Sequence, residues 1–250
     1  MISVEVSITV FILLFGGALF GMYFDPFPAA DQSKVETRAH VQVAVGLITS
    51  MFALLLSLQL SSGKTTFDTQ EQDVTVMASR AIMLDRVLAH YGPEAREARE
   101  SLRQSIIDLL NEVWPMERSK ASTWEPRGEG DAVYTKIQGL SPQNDEQRSE
   151  RTIALNMVID LGQMRMNSAA TIRSSTAVPL MMVEIAWATI IFISFGLLAP
   201  RNATVIASLA VCAAAVSGGF FLIVELNTPF SGLLHASSAP VREALKYLAR

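Results

Sequence analysis

Several residue types that carry metal or redox chemistry are scarce in this chain. Of its 250 residues, one is cysteine and three are histidine. A single thiol cannot form a disulfide within the chain, and Cys212 lies among alanine and valine, which predicts a packing role. The histidines stand in separate segments without the spacing of zinc ligands. The sequence therefore predicts no metal site and no cofactor.

Motifs for catalysis and for nucleic-acid binding are also missing. The chain has no glycine-rich phosphate loop and no serine in a G-x-S-x-G motif. Its 20 basic residues form no run of five or more and the formal net charge is −4, so composition gives no sign of a nucleic-acid partner. Charged strings such as the one at 94–97 are typical of solvated helix faces. We therefore expect no enzymatic activity and no binding of nucleic acid.

Charged residues are few, at 18% of the chain, whereas 50% of the residues are hydrophobic. Most of the hydrophobic residues fall into four blocks, at about 6–24, 41–60, 178–198 and 203–224. Each block is long enough for a helix to cross a hydrocarbon core of about 30 Å. The first block is preceded by an acid and by no lysine or arginine, so we expect it to be a span and not a cleaved signal peptide. The blocks predict an all-α membrane protein with four transmembrane helices.

The segments that join these spans differ in basic residues. With four spans, both termini and the long segment 61–177 share one side of the membrane. Three of the 20 basic residues, Lys34, Arg38 and Arg201, fall on the other side. By the positive-inside rule, the side with the remaining basic residues is cytoplasmic. We expect a multi-pass protein with both termini in the cytoplasm.

Helical periodicity continues outside the spans. Apolar residues recur every three or four positions over 68–91, 94–114 and 147–175. Residues 116–146 are rich in proline, glycine, serine and charge, which predicts an irregular segment. In the short turn between the last two spans, Asn202 is expected to cap the fourth helix.

These features divide the chain into four parts. The first and third parts hold two spans each, the second is a cytoplasmic helical region, and the fourth is a cytoplasmic elbow followed by a helix. The parts are 1–60, 61–177, 178–225 and 226–250.

The second span differs from the others because one of its sides is polar. Small and polar residues recur there at helical spacing, and large apolar residues occupy the rest of the helix. This polar stripe comprises Gln42, Gly46, Thr49, Ser50, Ala53 and Ser57. Such a stripe is either a close-packed helix interface or the wall of a water-filled pore, formed when copies of the helix surround an axis.

One acid, Glu184, lies inside a predicted span, about one turn from the start of the third. A charge in hydrocarbon is unfavourable and is usually tied to function or to a partner. Glu184 therefore either reaches back to the cytoplasmic rim or faces a water-filled path.

Several separated strings resemble one known family in content and order. They are SSGKTTFDTQEQDV leading to LDRVLAHYGPEAREAR, then FISFGLLAPRNATV, then VELNTPFSGLLHASSAPVREAL. Together they resemble bacterial bestrophin-like membrane proteins and, more distantly, the bestrophins. The resemblance runs from the second span to about residue 245. It implies a pentamer with four transmembrane helices per chain, cytoplasmic termini, and a pore along the second span, and it favours the pore interpretation of the polar stripe.

The last of these strings lies where the fourth span ends. In bestrophins an acid is followed here by Asn-Pro-Phe-Gly and by a run of aspartates that bind calcium. This sequence keeps Glu225, Asn227, Pro229 and Phe230 but lacks the aspartates. The resemblance implies an elbow or gate at these four residues. Because calcium requires six to eight oxygen ligands, we expect no calcium site.

The resulting hypothesis is an oligomeric channel of the bacterial inner membrane that conducts anions. Its partners would be membrane lipid, inorganic ions and further copies of the chain. Lys64 and Arg80 would form basic rings at the cytoplasmic mouth, although Asp68 lies one helical turn from Lys64 and can pair with it. The alternative is a non-conducting scaffold or sensor that binds a partner through its cytoplasmic helices.

Overall fold

The structure is a computed structural model that describes residues 2–24, 32–114, 129–173, 177–230 and 232–248. Residues 25–31 and 115–128 and Ser231 lie outside the described residues, as do the side chains of Lys34 and Arg38. A 3-10 turn at Pro93–Ala95 precedes the third α-helix. The described α-helices are α1 (Ile2–Tyr23), α2 (Gln32–Tyr91), α3 (Arg96–Val113), α4 (Glu129–Gln138), α5 (Asp145–Arg173), α6 (Ala177–Leu198), α7 (Ala203–Leu226) and α8 (Ala239–Leu248).

Four of these helices, α1, α2, α6 and α7, are long and apolar enough to cross a membrane. They contain the four predicted blocks, so the prediction of four transmembrane helices in an all-α protein is confirmed. Helix α2 has 60 residues and is about 90 Å long at 1.5 Å per residue. The second predicted span and the predicted helix at 68–91 are therefore parts of one continuous helix, which ends at the predicted Gly92–Pro93 break.

The chain divides into two compact units, and the first division falls inside α2. Unit 1 comprises 1–66 and 175–227, and unit 2 comprises 67–174 and 228–250.

In unit 1, helices α1 and α6 run parallel at very short range. Gly17 lies against Thr189, and Gly21, one turn further, lies against Leu197. A Cβ atom on Gly21 would collide with the backbone of α6, and one on Gly196 would collide with the backbone of α1. Small residues are what allows two helices to approach this closely in lipid.

Helix α7 runs antiparallel to α1. Arg201, just before α7, donates from Nε to the carbonyl oxygen of Met22 near the end of α1, at 3.0 Å. Near the other end, the Ser7 hydroxyl donates to the carbonyl oxygen of Ser217 at 3.1 Å. Asn202 accepts a hydrogen bond from a backbone N–H in the first turn of α7, which confirms the predicted cap.

Unit 2 has a hydrophobic core built largely from the predicted stripes. The predicted residues buried in it are Val74, Ala81, Leu84, Leu88, Leu102 and Ile106. The stripe predicted for α5 began at Ile153, which is 46% exposed, whereas Ala154 and Val158 are buried. Ile153 and Ala154 are consecutive apolar residues on different sides of α5, and only the side of Ala154 faces the core.

The prediction for 116–146 is wrong over 129–138, where the chain forms α4. Val133 and Ile137 of this helix are buried in the core of unit 2. Their spacing of four residues places both on one helix face. Two apolar positions among polar neighbours gave too short a pattern to indicate a helix.

Two largely buried acids of unit 2, Asp85 and Glu112, are paired with arginines. Arg99 donates to both carboxylate oxygens of Asp85, at 2.7 and 2.9 Å, and this hydrogen bonding raises the pKa of Arg99. Arg165 donates to Glu112 at 3.0 Å in a second, mostly buried pair. Charge-assisted bonds of this kind are among the stronger contacts between helices in proteins.

Candidate functional site

Helix α2 meets the rest of unit 1 through a narrow face. Val45, Phe52 and Gln59 are buried on it. These residues are seven apart and therefore lie on nearly the same side of the helix. Further along the same side, Gly63 lies against Leu226 at the end of α7.

The polar stripe lies on a different side of α2, and the described part of the chain leaves most of it exposed. Thr49, at its edge, is half-buried. At Gly46, no atom of another residue lies within 4 Å of where a Cβ would be. Among the described residues, no other helix of the chain packs against most of this stripe, which is therefore open to water, lipid or another copy. Its exposed members are Gln42, Gly46, Ser50, Ala53 and Ser57.

The hydroxyl groups on this stripe bond back to their own helix. Thr49 donates to the carbonyl oxygen of Val45 at 2.7 Å, and Ser50 donates to that of Gly46 at 3.0 Å. These bonds satisfy the hydroxyl hydrogens within the helix. The oxygens can still accept hydrogen bonds from water, and rotation of the O–H bond would let each hydroxyl donate to an anion.

A third side of α2 is exposed and strongly apolar. It carries Val43, Leu47, Leu54 and Leu58. Large aliphatic side chains of this kind suit contact with lipid or with another transmembrane helix. The helix thus combines a packing face, an open polar stripe and an open apolar face.

The residues predicted for the mouth are placed differently from one another. Lys64 and Asp68 are exposed and stand one turn apart on α2. Arg80 donates to Asp160 of α5 at 3.0 Å, with both side chains partly exposed. Because its charge is paired with a carboxylate, Arg80 is weakened as a candidate for a basic ring.

Glu184 is enclosed within unit 1. Its side chain is 1% exposed. The Gln59 amide of α2 lies against the Glu184 carboxyl group, and with its nitrogen turned to face that group it donates to Oε1 at 3.0 Å and also to Oε2. Gln59 is not among the residues predicted from the sequence, although a glutamine inside an apolar block indicates a polar partner.

The first half of the predicted elbow belongs to unit 1. Glu225, in the last turn of α7, is 1% exposed. Asn227 ends the helix, and its side-chain amide donates to the carbonyl oxygen of Ile223 at 2.7 Å. This bond satisfies one of the carbonyl groups that a helix end leaves open.

The second half belongs to unit 2 and forms a closed loop. The backbone N–H of Ala236 donates to the carbonyl oxygen of Pro229 at 2.7 Å. Phe230 packs edge-on against Trp114, with ring centroids 5.5 Å apart. The indole N–H of Trp114 donates to the carbonyl oxygen of Ala236 at 2.8 Å. Trp114, which the sequence indicated only as a helix end, therefore holds both sides of the loop.

Two further features bear on chemistry. Among the described residues, no group of three or more His, Cys, Asp or Glu side chains is placed to hold a metal ion. Cys212 is exposed on α7, so other helices of the chain do not bury it. Alanine and valine residues lie on several sides of α7, so the sequence could not show which side the other helices cover.

The helices and their polar contacts define a multi-pass helical membrane protein in which α2 presents an uncovered polar stripe. The bestrophin-like domain matches residues 10–241 of the chain. The chain therefore belongs to the bestrophin-like family, which confirms the resemblance seen in the sequence.

Solved structures show the same fold at low sequence identity. One variant of a bacterial bestrophin homologue from Klebsiella pneumoniae matches with a TM-score of 0.67 and 12% identity, covering 97% of each chain. A second variant of that homologue matches with a TM-score of 0.65 and 11% identity, covering 96% of this chain and 97% of the other. A structure described as a membrane protein matches with a TM-score of 0.67 and 10% identity, covering 99% and 97%. A search of curated proteins found no match.

Proposed function

We propose that this protein is an oligomeric, anion-conducting channel of the bacterial inner membrane, with the polar stripe of α2 lining its pore. The observation that carries the proposal is that this stripe is exposed although it lies in a membrane-spanning stretch. Polar groups facing hydrocarbon are unfavourable. Several copies of α2 around an axis would turn the stripe towards water and leave the apolar face for lipid or for the neighbouring copy.

Family membership supports the same function, since bestrophins are pentameric anion channels. A pentamer would place five copies of the stripe around the axis, with Ser50 and Ala53 near its centre. Small side chains there would leave space for a hydrated or partly dehydrated ion, and the hydroxyl groups could donate hydrogen bonds to an anion.

The mouth and the elbow complete the proposal. Lys64 would attract anions at the cytoplasmic mouth, with Asp68 opposing it and Arg80 held by Asp160. Glu225 and Asn227 would end α7 at the cytoplasmic rim, and the loop at Pro229 and Phe230 would serve as the elbow. Both termini would lie in the cytoplasm, by the distribution of basic residues.

Current recording from purified protein in planar bilayers tests this proposal. We expect an anion current, reduced about tenfold or more by Ser50→Trp or Ala53→Trp, because a large ring would fill a pore lined by small side chains. Met51→Trp is the matched control, since Met51 is exposed on the neighbouring side of α2, about 100° around the helix. It should leave the current unchanged.

Absence of current from cross-linked, verified oligomers would contradict the channel proposal and favour the scaffold or sensor. A current blocked by Met51→Trp but not by Ser50→Trp would show that another side of α2 lines the pore.

A further inference from the structure

Glu184 of α6 and Gln59 of α2 form a buried polar pair that has no part in the proposed pore wall. Glu184 lies seven residues after the first residue of α6, about 10 Å along the helix axis. Its side chain is 1% exposed and that of Gln59 is 7% exposed. Gln59 belongs to the packing face of α2, together with Val45 and Phe52. The pair therefore lies behind the polar stripe and inside the helix bundle of unit 1.

Few other charged groups face this pair. Helix α6 carries no second ionisable residue. At the same end of unit 1, the ionisable side chains of the neighbouring helices are Glu5 of α1 and Lys64 of α2, which are exposed, and Glu225 of α7, which is buried. Within the part of the chain that the structure describes, no lysine, arginine or histidine forms an ion pair with Glu184. Its bond to Gln59 is made with a neutral amide.

An amide can serve a carboxyl group in both of its protonation states. When Glu184 is ionised, the Gln59 amide can turn its nitrogen towards the carboxylate and donate to it. When Glu184 is neutral, its O–H can donate to Gln59 Oε1 after the amide turns over, since amide oxygen and nitrogen exchange places by rotation. An isolated ionised carboxylate is strongly disfavoured in apolar surroundings, so taking up a proton from water stabilises the buried group.

We propose that Glu184 and Gln59 form a proton-binding site that ties α2 to α6 and makes the current of the channel depend on pH. The link to current rests on the proposed function, whereas the binding of a proton does not. The step is a transfer of one proton between water and a carboxylate oxygen of Glu184, with no change of oxidation state. With the proton bound, the neutral pair keeps α2 packed.

Loss of the proton leaves a negative charge inside the bundle, held by one amide. This favours entry of water beside Gln59 and loosens one of the few contacts that fix α2. Because the same helix carries the polar stripe, the two protonation states would differ in conductance.

Infrared difference spectra of the purified protein in lipid, recorded between about pH 5 and pH 9, measure the site without any current. We expect a carbonyl band of a protonated, buried carboxyl group that titrates in this range and is absent from Glu184→Gln. Glu225→Gln is the matched control, since Glu225 is also a buried acid of unit 1, and it should keep the band. Gln59→Leu should move the midpoint of the titration.

Absence of a Glu184 band, or a band that does not titrate, would overturn the proposal. If the midpoint of the titration moves when sodium replaces choline at constant ionic strength, the site binds a metal cation, which would also overturn the proposal. In planar bilayers, Glu184→Gln should make the current independent of pH, and a pH-dependent current that Glu184→Gln leaves unchanged would remove the link to conduction. A titrating band in protein that carries no current would leave the proton site standing and refute the channel.

Discussion

The helices within unit 1 are held together by different contacts from the helices within unit 2. In unit 1 the helices approach through glycine, as where Gly21 of α1 meets the backbone of α6, and the buried acid Glu184 is bonded to a neutral amide. In unit 2 the helices carry ion pairs, such as the bidentate Asp85–Arg99 pair, beside an extended hydrophobic core.

The contacts of unit 1 are of the kind that stabilise helices in lipid, and those of unit 2 are of the kind that stabilise helices in water. Lipid chains are as apolar as the side chains they touch, so helices in a membrane gain mainly from close packing and from a few polar contacts. Helices in water gain from burying apolar surface and can keep charged groups at its edge. A buried polar group in unit 1 therefore needs an explanation, whereas a paired one in unit 2 is ordinary.

The largest expected effect comes from adding a side chain where helices α1 and α6 of unit 1 lie closest together. Gly21→Leu should destabilise the protein by about 3 kcal/mol or more, because a side chain would force the backbones of α1 and α6 apart. Loss of folded protein and a lower midpoint of thermal unfolding in detergent would show it. Gly16→Leu is the matched control on the same helix, since no other residue lies within 4 Å of its Cβ position. Equal effects of the two changes would contradict the glycine-mediated packing.

An intermediate effect is expected from breaking the ion pair in unit 2. Arg99→Met should destabilise the protein by about 2 to 3 kcal/mol, because Asp85, whose side chain is 9% exposed, would keep a charge without its partner. Chemical denaturation followed by a unit 2 signal, such as Trp114 fluorescence, measures this. Arg148→Met removes an exposed pair with Asp145 and should change stability by about 0.5 kcal/mol or less. A similar loss in both variants would show that burial does not distinguish the two pairs.

The smallest effect is expected at the loop that Trp114 holds. Trp114→Phe should destabilise unit 2 by about 1 kcal/mol, since the ring contact with Phe230 can persist while the hydrogen bond to Ala236 is lost. Faster proteolytic cleavage within 229–236 would locate the change. Trp187→Phe provides a control on an exposed tryptophan of α6, and it should leave the cleavage rate as it is. An unchanged rate in Trp114→Phe would show that the indole N–H does not hold the loop.

The sequence predicted the spans because a bilayer demands about 20 consecutive apolar residues, and this signal is strong in each block. It also predicted the core stripes of α2 and α3 and the cap at Asn202, since these depend on local spacing. Family membership could be seen from separated strings around Pro200 and Pro229.

Contacts between distant segments could not be predicted in the same way. Neither the pairing of Glu184 with Gln59 nor the contact of Trp114 with the loop at 229–236 leaves a local pattern in the chain. Whether Cys212 is exposed depends on which side of α7 the rest of the chain covers, and the same holds for the face of α5 that includes Ile153. Apolar residues lie on several sides of both helices, so the sequence does not show which side is covered. The polar stripe could be recognised in the sequence, but its exposure became known only from the packing of the other helices.

Reaction of single cysteines on α2 tests the central claim most directly. Because the chain has one cysteine, Cys212→Ala gives a background without thiols, to which Ser50→Cys or Met51→Cys can be added. In planar bilayers, a charged methanethiosulfonate reagent should rapidly change the current of Ser50→Cys and leave that of Met51→Cys unchanged. A current that responds at Met51→Cys and not at Ser50→Cys, or at neither residue in protein shown to carry current, would contradict a pore lined by the polar stripe.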